Sequence, residues 1–344
     1  MTTRSAVVLG ATGQVGRAAV RALAADGWEV RAVSRGGGDE DWPGEVRAVR
    51  ADREDDAALA AVLGDGCDVL VDMVAYGPGH ARQLKSLADR IGSAVVISSG
   101  AVYEDDQGRS FDTQDEPDGF PAYPVPIPER QPTVAPGEAS YGTRKVALER
   151  DLLAAGAELP TTLLRAGAIH GPYCRGPREL YFVKRALDRR PVRILAYNGQ
   201  SRFHPVHVGN LAELIRLAAA KPGSRVLNAG DPDVPTVREI SAGVDAALSV
   251  TSETVLVDGP APAGTVGLTP WGLDRPIVYD MTAAERELGY RAVTSYAAAL
   301  PATVEWLARQ LDGRHWREIF SGLVKYEDDW FDYGAEDSWL KATR

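Results

Sequence analysis

The sequence predicts an α/β fold with a doubly wound parallel sheet and a smaller C-terminal lobe. An apolar segment at 6–9 precedes a glycine-rich run at 10–16, and small or apolar residues then recur at helical spacing up to Leu23. Strand-like and helix-like segments alternate beyond this first unit, as expected for a sheet covered by helices on both faces. The expected strands lie near Ala6, Val30, Val46, Val69, Val95 and Leu163.

The glycine run is the strongest local motif, because Gly10, Gly13 and Gly16 follow the first strand at a regular spacing. Glycine permits positive φ and close approach of the backbone to a ligand, and the helix that follows points its N-terminal N–H groups at a pyrophosphate. Chance matches are frequent in a chain with 35 glycines in 344 residues, so an ordinary capped helix is the alternative. The position of the run after the first strand favours a Rossmann-type dinucleotide site.

The second strand, at 29–33, is followed by Ser34 and Arg35, where an NAD site usually offers a carboxylate to the ribose 2′-hydroxyl. A hydroxyl and a guanidinium instead suit a 2′-phosphate, since arginine provides a charged fork of donors. We therefore expect NADP(H), with NAD(H) as the alternative if Arg35 is only a solvated loop residue. Asp52, just after the strand-like segment at 46–49, is a candidate to face the adenine or to cap a helix.

Tyr141 and Lys145 stand four residues apart, which places them on one face of a helix. Removal of hydride from a secondary alcohol requires a group that takes the hydroxyl proton, and the reverse reaction requires the same group as an acid. A phenol can do both if its pKa falls toward neutral pH, and a neighbouring ammonium acts in that direction. We therefore expect Lys145 to lower the pKa of Tyr141, the alternative being an exposed helical pair without a catalytic role.

Further motifs accompany the glycine turn and the Tyr141 helix in a characteristic order. They are the strand and turn at 95–103, Glu149 on the Tyr141 helix, and the segments 164–172, 206–212, 226–230, 283–290 and 304–306. With these motifs the chain resembles the extended short-chain dehydrogenase/reductase superfamily, in particular its NAD(P)-dependent epimerase/dehydratase group. The resemblance implies that Ser99 holds the substrate oxygen beside Tyr141 and that Lys145 also reaches the nicotinamide ribose. It implies cofactor contacts from Gly10, Thr12, Gly13, Gln14, Val15, Gly16, Ser34, Arg35, Asp52, Ala75, Tyr141, Lys145 and Ala168.

The resemblance also bears on the reaction and on the substrate site, which it assigns to Ser99, Gly100, Ala101, Arg202 and His204. Related 4,6-dehydratases carry an acidic pair where this chain has Gly100 and Ala101, so the missing acid/base groups argue against 4,6-dehydratase chemistry. Nucleotide-sugar epimerases carry an asparagine where this chain has Ala168, and Arg202 is one residue off the family spacing. A nucleotide sugar is therefore not strongly favoured, whereas reduction, oxidation and epimerisation all remain.

Composition is that of an ordinary globular protein, with 44% hydrophobic and 25% charged residues and a net charge of −10. The absence of a basic surplus argues against a nucleic-acid partner, and no apolar run is long enough to span a membrane. No signal peptide is recognised, so we expect a cytoplasmic protein in which Cys67 and Cys174 are free thiols. The spacing of His170, His204 and His207 matches no metal motif, so no metal is expected.

Residues 1–171 are expected to form the NAD(P)-binding domain, completed by sheet segments around 203–230. The smaller lobe, expected at 172–202 and 231–312, would bind the substrate, and 313–344 form an aromatic and acidic extension. The extension is expected to pack on the lobe or across a dimer, or to act as a lid. The irregular segment at 104–140 must pass beside the Ser99 turn, where its acids either steer a polar substrate or are solvated. A homodimer through the helices near 82–91 and 141–155 follows from the resemblance alone.

Three functions therefore remain open. The favoured one is an NADP(H)-dependent reductase or dehydrogenase that acts at a secondary alcohol or ketone of a polar small molecule, with a sugar as one candidate. The second is a sugar or nucleotide-sugar epimerase that retains its cofactor. The third is a non-catalytic NADP(H)-binding sensor or interaction protein, which the joint presence of Ser99, Tyr141 and Lys145 disfavours. Retention or free exchange of the cofactor separates the first two.

Overall fold

A computed structural model describes residues 4–36, 41–44, 46–324 and 330–343. The chain divides into two compact units, and each has its own hydrophobic core. Unit 1 comprises Met1–Gly167, Val208–Gly230 and Tyr279–Val293, and unit 2 comprises Ala168–His207, Asp231–Val278 and Thr294–Arg344.

Unit 1 is built on a seven-stranded parallel sheet, which confirms the predicted fold class. Its strands are β1 (Ser5–Leu9), β2 (Glu29–Ser34), β3 (Val46–Arg50), β4 (Val69–Asp72), β5 (Ala94–Ser99), β6 (Thr161–Ala166) and β10 (Arg225–Ala229), and its helices are α1 (Gln14–Ala25), α2 (Asp56–Leu63), α3 (Pro78–Ser86), α4 (Tyr141–Leu153), α6 (Val208–Ala220) and α8 (Thr282–Leu288). The strand order is β10-β6-β5-β4-β1-β2-β3, so the direction of winding reverses between β1 and β4. In such sheets ligands bind outside the carboxyl ends of the strands at this reversal.

The six strands predicted from apolar segments correspond to β1 to β6, and β10 adds the seventh. The central strands β1 and β4 are wholly or almost wholly buried, because helices cover both of their faces. One side of the sheet packs on α2, α3 and α4 through a core that includes Leu9, Leu59, Leu84, Val96 and Leu148. The helix predicted at 82–91 is instead α3, which begins at Pro78 and is followed by a 3₁₀ turn at Ala88–Arg90. Proline suits the first helical turn, because its missing N–H has no intrahelical partner there.

Unit 2 contains two small parallel ribbons and a helical core. Its strands are β7 (Ala168–His170), β8 (Val192–Leu195), β9 (Pro205–His207) and β11 (Glu253–Leu256), and its helices are α5 (Leu180–Leu187), α7 (Val237–Ala247), α9 (Tyr296–Leu311), α10 (Trp316–Ile319), α11 (Ser321–Val324) and α12 (Tyr333–Thr343). Strand β7 pairs with β9, and β8 pairs with β11. Helices α5, α7 and α9 pack together around Phe182, Leu195, Ile240 and Leu300.

Three segments fall in a different unit from the predicted one. Residues 279–293, expected in the lobe, belong to unit 1, because α8 packs on α6 and β10. Residues 168–171 and 203–207, expected with the large domain, belong to unit 2, because β7 and β9 pair with each other. Both outcomes depend on pairings between segments that are far apart in the sequence.

The C-terminal aromatic residues pack within unit 2, which is one of the arrangements expected for them. Trp316 and Phe320 are buried in the core of unit 2, and the Phe331 ring lies 5.4 Å from that of Trp316. Arg185 of α5 donates hydrogen bonds to the Trp330 carbonyl and to the buried Glu336 carboxylate, each at 2.5 Å. These contacts attach α12 to α5. Tyr326, which belongs to the same predicted aromatic group, lies outside the described residues.

Within the described part of the chain, the model has no helix of the length and apolarity that a membrane crossing requires.

Candidate active site

The turn between β1 and α1 is shaped by its glycines. Gly10 has a φ of +81°, and the N–H groups of Gly10 and Ala11 donate to the Val33 carbonyl at 3.1 and 3.0 Å. An added Cβ on Gly16 would lie only 2.2 Å from the Gly10 carbonyl oxygen, so α1 approaches the turn closely only because residue 16 has no side chain. Gly13, the N-cap residue of α1, has no side chain that could cap the helix, and no acid stands in the first helical turn.

This turn fits the pyrophosphate of a dinucleotide. Thr12 lies in the turn, and Gln14 and Val15 open the helix, whose first N–H groups have no intrahelical partner. The turn follows β1 at the reversal of strand order, so the positive end of the helix dipole lies at the edge of the sheet where ligands bind. An acidic residue here would repel phosphate, and none is present.

Two arginines meet at the ends of β2 and β3. Arg35 is exposed and directly follows β2, while Ser34 is buried and pairs in register with Arg50. The Arg50 Nε donates to the Arg35 carbonyl oxygen at 3.1 Å, so a second guanidinium lies beside the main chain of Arg35. Arg50 was missed from the sequence because only the β2–β3 register brings it to Ser34. Asp52 is exposed and accepts a hydrogen bond from the Glu54 N–H at 3.1 Å, whereas Asp55 caps α2.

Lys145 is buried in the interior of unit 1 and is held by main-chain carbonyls. Its Nζ donates to the Ala75 oxygen at 2.6 Å and to the Ile97 oxygen at 2.8 Å. Burial lowers the pKa of Lys145 to about 8, although the carboxylates of Asp72 and Glu149 act in the opposite direction. The ammonium lies 5.7 Å from the centre of the Tyr141 ring.

Tyr141 is the first residue of α4, and its side chain is 42% exposed. The side chain of Ser99, the last residue of β5, lies close enough to the Tyr141 phenol to act on its pKa. Partial burial raises the pKa of Tyr141, the Ser99 hydrogen bond opposes that rise, and the nearby Tyr76 adds to it. The expected lowering of this pKa by Lys145 is therefore wrong for this structure, because burial of the phenol is the largest influence on it. The Lys145 ammonium is bound by the carbonyls of Ala75 and Ile97.

The neighbouring serines Ser98 and Ser99 of β5 have different partners. Ser98 is buried and donates to the Glu149 carboxylate at 2.5 Å, and Glu149 also forms a paired interaction with Arg165 at 2.7 and 3.1 Å. Ser99 instead faces Tyr141, and its Oγ accepts a hydrogen bond from the Ala101 N–H at 3.2 Å. Of these two serines, it is Ser99 whose hydroxyl lies beside the phenol.

The N-terminus of α4 is brought close to the Ser99 turn by a glycine and is tied to the 104–140 segment by its cap. An added Cβ on Gly142 would lie 2.7 Å from the Ala101 carbonyl oxygen. Ser140 caps α4 together with Thr143, and the Ser140 hydroxyl donates to Asp112 at 2.5 Å. The segment 104–140 therefore contacts the helix that carries Tyr141.

Asp105 organises the 104–140 segment and does not face solvent. Its carboxylate accepts hydrogen bonds from the N–H groups of Gln107, Arg109 and Ala122 and from the Arg109 side chain. Burial opposes ionisation, but these hydrogen bonds outweigh it and lower the pKa of Asp105 to about 2. Glu129 likewise binds the Asn228 N–H at 3.0 Å. Steering of a substrate by these acids is therefore confined to the exposed ones, such as Asp106, Asp115 and Glu116.

Several residues of the site could not be recognised in the sequence. Tyr76 is 52% exposed, and the centre of its ring lies 5.2 Å from the Lys145 ammonium, which also lies near the Tyr141 ring. Asp72 at the end of β4 is buried with Arg53, and their charged groups are 2.6 Å apart. No local motif marks these residues, because each is brought to Lys145 by packing across the sheet.

The remaining predicted residues lie in unit 2. The N–H of Ala168 donates to the His204 carbonyl at 2.8 Å, and the Arg202 guanidinium donates to the Val234 carbonyl at 3.1 Å. His204 is buried, and its Nε2 lies 2.8 Å from the Asp231 carbonyl oxygen. A buried imidazole with a main-chain partner has little surface for a substrate, so the structure does not support His204 as a substrate contact.

His170 and His207 surround the buried Asp231 carboxylate in unit 2. The His170 Nε2 lies 2.7 Å from one oxygen of the Asp231 carboxylate, and the main-chain N–H of His207 donates to the other oxygen at 2.6 Å. Burial lowers the pKa of His207 to about 4, with a further contribution from His170, whereas Asp231 acts to raise it. His207 is therefore neutral in the folded protein at pH values where the unfolded chain already binds a proton.

We expect this difference to destabilise the protein in acid. Between pH 6.5 and about 4 the unfolded chain binds the proton at residue 207 and the folded chain does not, so stability falls as the pH falls through this range. The loss should be about 1–3 kcal/mol in the free energy of unfolding. Denaturant titrations at pH 7 and pH 4.5 should show a smaller loss in His207→Gln than in the wild type. His315→Gln, at an exposed histidine, is the control. If the free energy of unfolding falls equally between pH 7 and pH 4.5 in His207→Gln and His315→Gln, His207 is not the group responsible.

Comparison with known proteins agrees with this geometry. Residues 6–230 match the model of the NAD dependent epimerase/dehydratase family. The 2′-dehydrokanamycin reductase of Streptomyces kanamyceticus is 30% identical over 224 residues, which span 62% of this chain and 58% of that protein. The chain thus matches less than two thirds of the length of this relative.

Solved structures show the same fold at lower identity. A UDP-N-acetylglucosamine 4-epimerase from Methanobrevibacter ruminantium M1, in complex with UDP-N-acetylmuramic acid, is 17% identical with a TM-score of 0.69, over 90% of this chain and 100% of that one. A dTDP-glucose 4,6-dehydratase from Bacillus anthracis, in complex with NAD, is 18% identical with a TM-score of 0.65, over 90% of this chain and 98% of that one. The family match, the parallel sheet and the glycine turn confirm the resemblance seen in the sequence: the chain belongs to the NAD-dependent epimerase/dehydratase family.

Proposed function

We propose that this protein is an NADP(H)-dependent oxidoreductase that transfers hydride at a secondary alcohol or ketone of a polar small molecule, and that it works chiefly as a reductase. The observation that carries the proposal is the position of the Tyr141 phenol in the unit that holds the glycine turn. It lies beside the Ser99 side chain, and its ring centre is 5.7 Å from the ammonium of the buried Lys145. The relative from Streptomyces kanamyceticus, whose name is that of a reductase acting on a dehydro compound, supports the same direction.

The chain supplies a proton and a fixed oxygen-binding geometry. When bound, the nicotinamide cofactor supplies or accepts the hydride. Tyr141 is the general acid in reduction, because its raised pKa keeps the phenol protonated at neutral pH and ready to give its proton to the carbonyl oxygen. Ser99 orients that oxygen and, through its hydrogen bond to Tyr141, stabilises the phenolate that proton transfer leaves behind.

Lys145 has a positioning and electrostatic role in this proposal. Its contacts to the Ala75 and Ile97 carbonyls hold β5, α4 and the segment after β4 together at the site. With a pKa of about 8, Lys145 is still mostly protonated at pH 7 and keeps a positive charge near the phenol. Gly100 and Ala101 offer no carboxylate next to Ser99, so we do not include a water-elimination step in the proposed reaction.

The proposal is tested by the exchange of cofactor and by turnover. Cofactor-stripped protein is mixed with NADPH and a panel of ketones, including 2′-dehydrokanamycin and keto sugars, and NADPH consumption is followed by absorbance. Stoichiometric consumption of NADPH with a ketone supports the reductase. Protein that is purified with tightly held oxidised cofactor, and interconverts sugar epimers without net NADPH consumption, is an epimerase instead. Dinucleotide binding without turnover on any substrate would indicate the non-catalytic alternative.

The NADP(H) preference is part of this proposal and rests on Arg35 and Arg50. Arg35→Gln and Arg50→Gln are each expected to weaken NADPH binding by about 10- to 100-fold, as for loss of a hydrogen bond to a charged group, and to change NADH binding little. Calorimetric titration of both cofactors measures this. Arg47→Gln on the same strand is the control, because Arg47 pairs with Arg31 away from the end of β2. Tighter binding of NADH than of NADPH by the wild type would reject the preference.

A further inference from the structure

Gly100, next to Ser99, has no room for a side chain. An added Cβ at this position would lie 1.8 Å from the Tyr279 hydroxyl oxygen and 2.5 Å from the Tyr279 Cζ. Distances this short do not occur between real atoms, and the contact is with a buried aromatic ring and not with a flexible chain end. Gly100 does not have positive φ, so the backbone conformation itself does not call for glycine. Glycine is required at position 100 because the Tyr279 side chain occupies the space beside it.

Tyr279 has little freedom to move aside, because the chain around it is held from two directions. Its backbone forms a parallel bridge with Ile127, and the Asp280 N–H donates to the Ile127 carbonyl at 2.8 Å. The Asn228 side chain donates to the carbonyls of both Ile127 and Asp280, at 3.0 and 3.1 Å. The Tyr279 ring also packs beside that of Tyr103, with 6.0 Å between the ring centres. A side chain at position 100 would therefore force either the turn or the ring out of place.

The turn that Tyr279 contacts is the one that directs the Ser99 hydroxyl. Ser99 caps the short 3₁₀ turn Gly100–Val102 through the Ala101 N–H, and the same side chain lies beside the Tyr141 phenol. A small rotation of Gly100 would change the direction of the Ser99 hydroxyl, because the two residues share a peptide bond. Displacements of about 1 Å in a reacting group can reduce catalysis by about 100-fold.

We infer that Gly100 and Tyr279 form a steric pair, in which the Tyr279 side chain fills the space that a side chain at position 100 would need. Tyr279 thereby holds the Gly100–Val102 turn and is a positioning residue for Ser99, which it keeps beside Tyr141. The inference rests on the proposed function for its catalytic consequence, but the steric pairing itself does not. The sequence indicates only that Gly100 stands where related 4,6-dehydratases carry an acidic residue. The structure shows that the volume of the missing side chain is occupied by a phenol from a segment far along the chain.

The steric pairing is tested by a double-mutant cycle that needs no substrate. Gly100→Ala should lower the thermal unfolding temperature strongly, and Tyr279→Leu should lower it moderately. In the double variant Gly100→Ala/Tyr279→Leu the added methyl group has space, so the loss should be smaller than the sum of the single losses, as for residues in contact. Additive losses would overturn the pairing. If Gly100→Ala does not fold, recovery of folded protein in the double variant carries the same information.

The positioning role is tested by kinetics with the ketone that gives the highest rate. Tyr279→Leu is expected to lower kcat by about 10- to 100-fold with little change in the KM for NADPH. The Ser99 hydrogen bond acts to lower the pKa of Tyr141, so a displaced Ser99 should also move the kinetic pKa of kcat/KM to higher pH. Tyr290→Leu is the matched control, since Tyr290 is a buried tyrosine of the same segment at the end of α8.

The outcomes separate the inference from the proposed function. If Tyr279→Leu and Tyr290→Leu lower the unfolding temperature alike and neither moves kcat or the kinetic pKa, Tyr279 only packs and the positioning role is rejected. If the wild type reduces no ketone, the proposed function fails, while the unfolding cycle still decides whether Gly100 and Tyr279 are a steric pair.

Discussion

Replacing Tyr141 with phenylalanine is expected to lower kcat for ketone reduction by about 10²- to 10⁴-fold, the usual contribution of a general acid. The variant loses one oxygen atom and keeps the ring at the start of α4, so the fold should persist. The loss should appear in kcat and kcat/KM together, because the proton is transferred only as the carbonyl oxygen gains charge. The measurement is steady-state NADPH consumption with the ketone that gives the highest wild-type rate.

Cofactor binding is the internal control for this variant. Calorimetric titration should show NADPH affinity within about threefold of the wild type, since the hydroxyl of Tyr141 bonds to Ser99 and not to the glycine turn. Ser99→Ala should reduce the rate in the same direction and raise the kinetic pKa of Tyr141. Near wild-type turnover by Tyr141→Phe would reject the phenol as the acid. If neither the wild type nor Tyr141→Phe turns over any ketone, the non-catalytic alternative stays open.

The second large effect is expected at Gly16. In Gly16→Ala the new methyl carbon would lie 2.2 Å from the Gly10 carbonyl oxygen and 2.8 Å from the Ala11 Cα, both of them backbone atoms that cannot rotate away. Helix α1 must therefore move off the turn, and its N-terminal N–H groups then no longer converge on a pyrophosphate. We expect NADPH affinity to fall by at least about 100-fold, as for loss of two or more charge-assisted hydrogen bonds.

Gly44→Ala is the matched control for that experiment. Among the described residues, no atom lies within 4 Å of an added Cβ on Gly44, and the φ of Gly44 is not positive, so this substitution should leave both stability and NADPH affinity unchanged. Calorimetry gives the affinity, and circular dichroism shows whether Gly16→Ala still folds. Retention of wild-type affinity by a folded Gly16→Ala would show that the turn between β1 and α1 does not hold the cofactor.

Much of the fold could be predicted because its signals are local. Short strand-like segments predict β1 to β6. Of these, β1, β4, β5 and β6 are almost wholly buried, whereas β3 at the edge of the sheet is mostly exposed. The glycine turn is equally local, since its spacing and its place after the first strand lie within a dozen residues. The helix with Tyr141 and Lys145 also follows from a spacing of four. These signals depend on residues that are near neighbours in the chain, so they can be recognised without knowledge of the tertiary structure.

Predictions that needed a distant partner fared less well. The sequence placed an ammonium beside the Tyr141 phenol, but it could not show that the carbonyls of Ala75 and Ile97 bind that ammonium. The predicted direction of the Tyr141 pKa was wrong because burial of the phenol, which tertiary packing decides, raises that pKa. Burial of His204 under Asp231 could not be foreseen either, because the two residues are joined only by the packing of unit 2.

The sequence by itself determined the parallel α/β architecture, the glycine turn and the spacing of Tyr141 and Lys145, because each depends on residues close together in the chain. It also indicated the family, through the order of short motifs along the chain. Only the tertiary structure decided that Ser99 and not Ser98 meets Tyr141, that Arg50 joins Arg35, and that Tyr279 occupies the space beside Gly100. Strand register and side-chain packing set these contacts. Both are properties of the whole folded chain, since any segment can pair with several others until the complete core selects one arrangement.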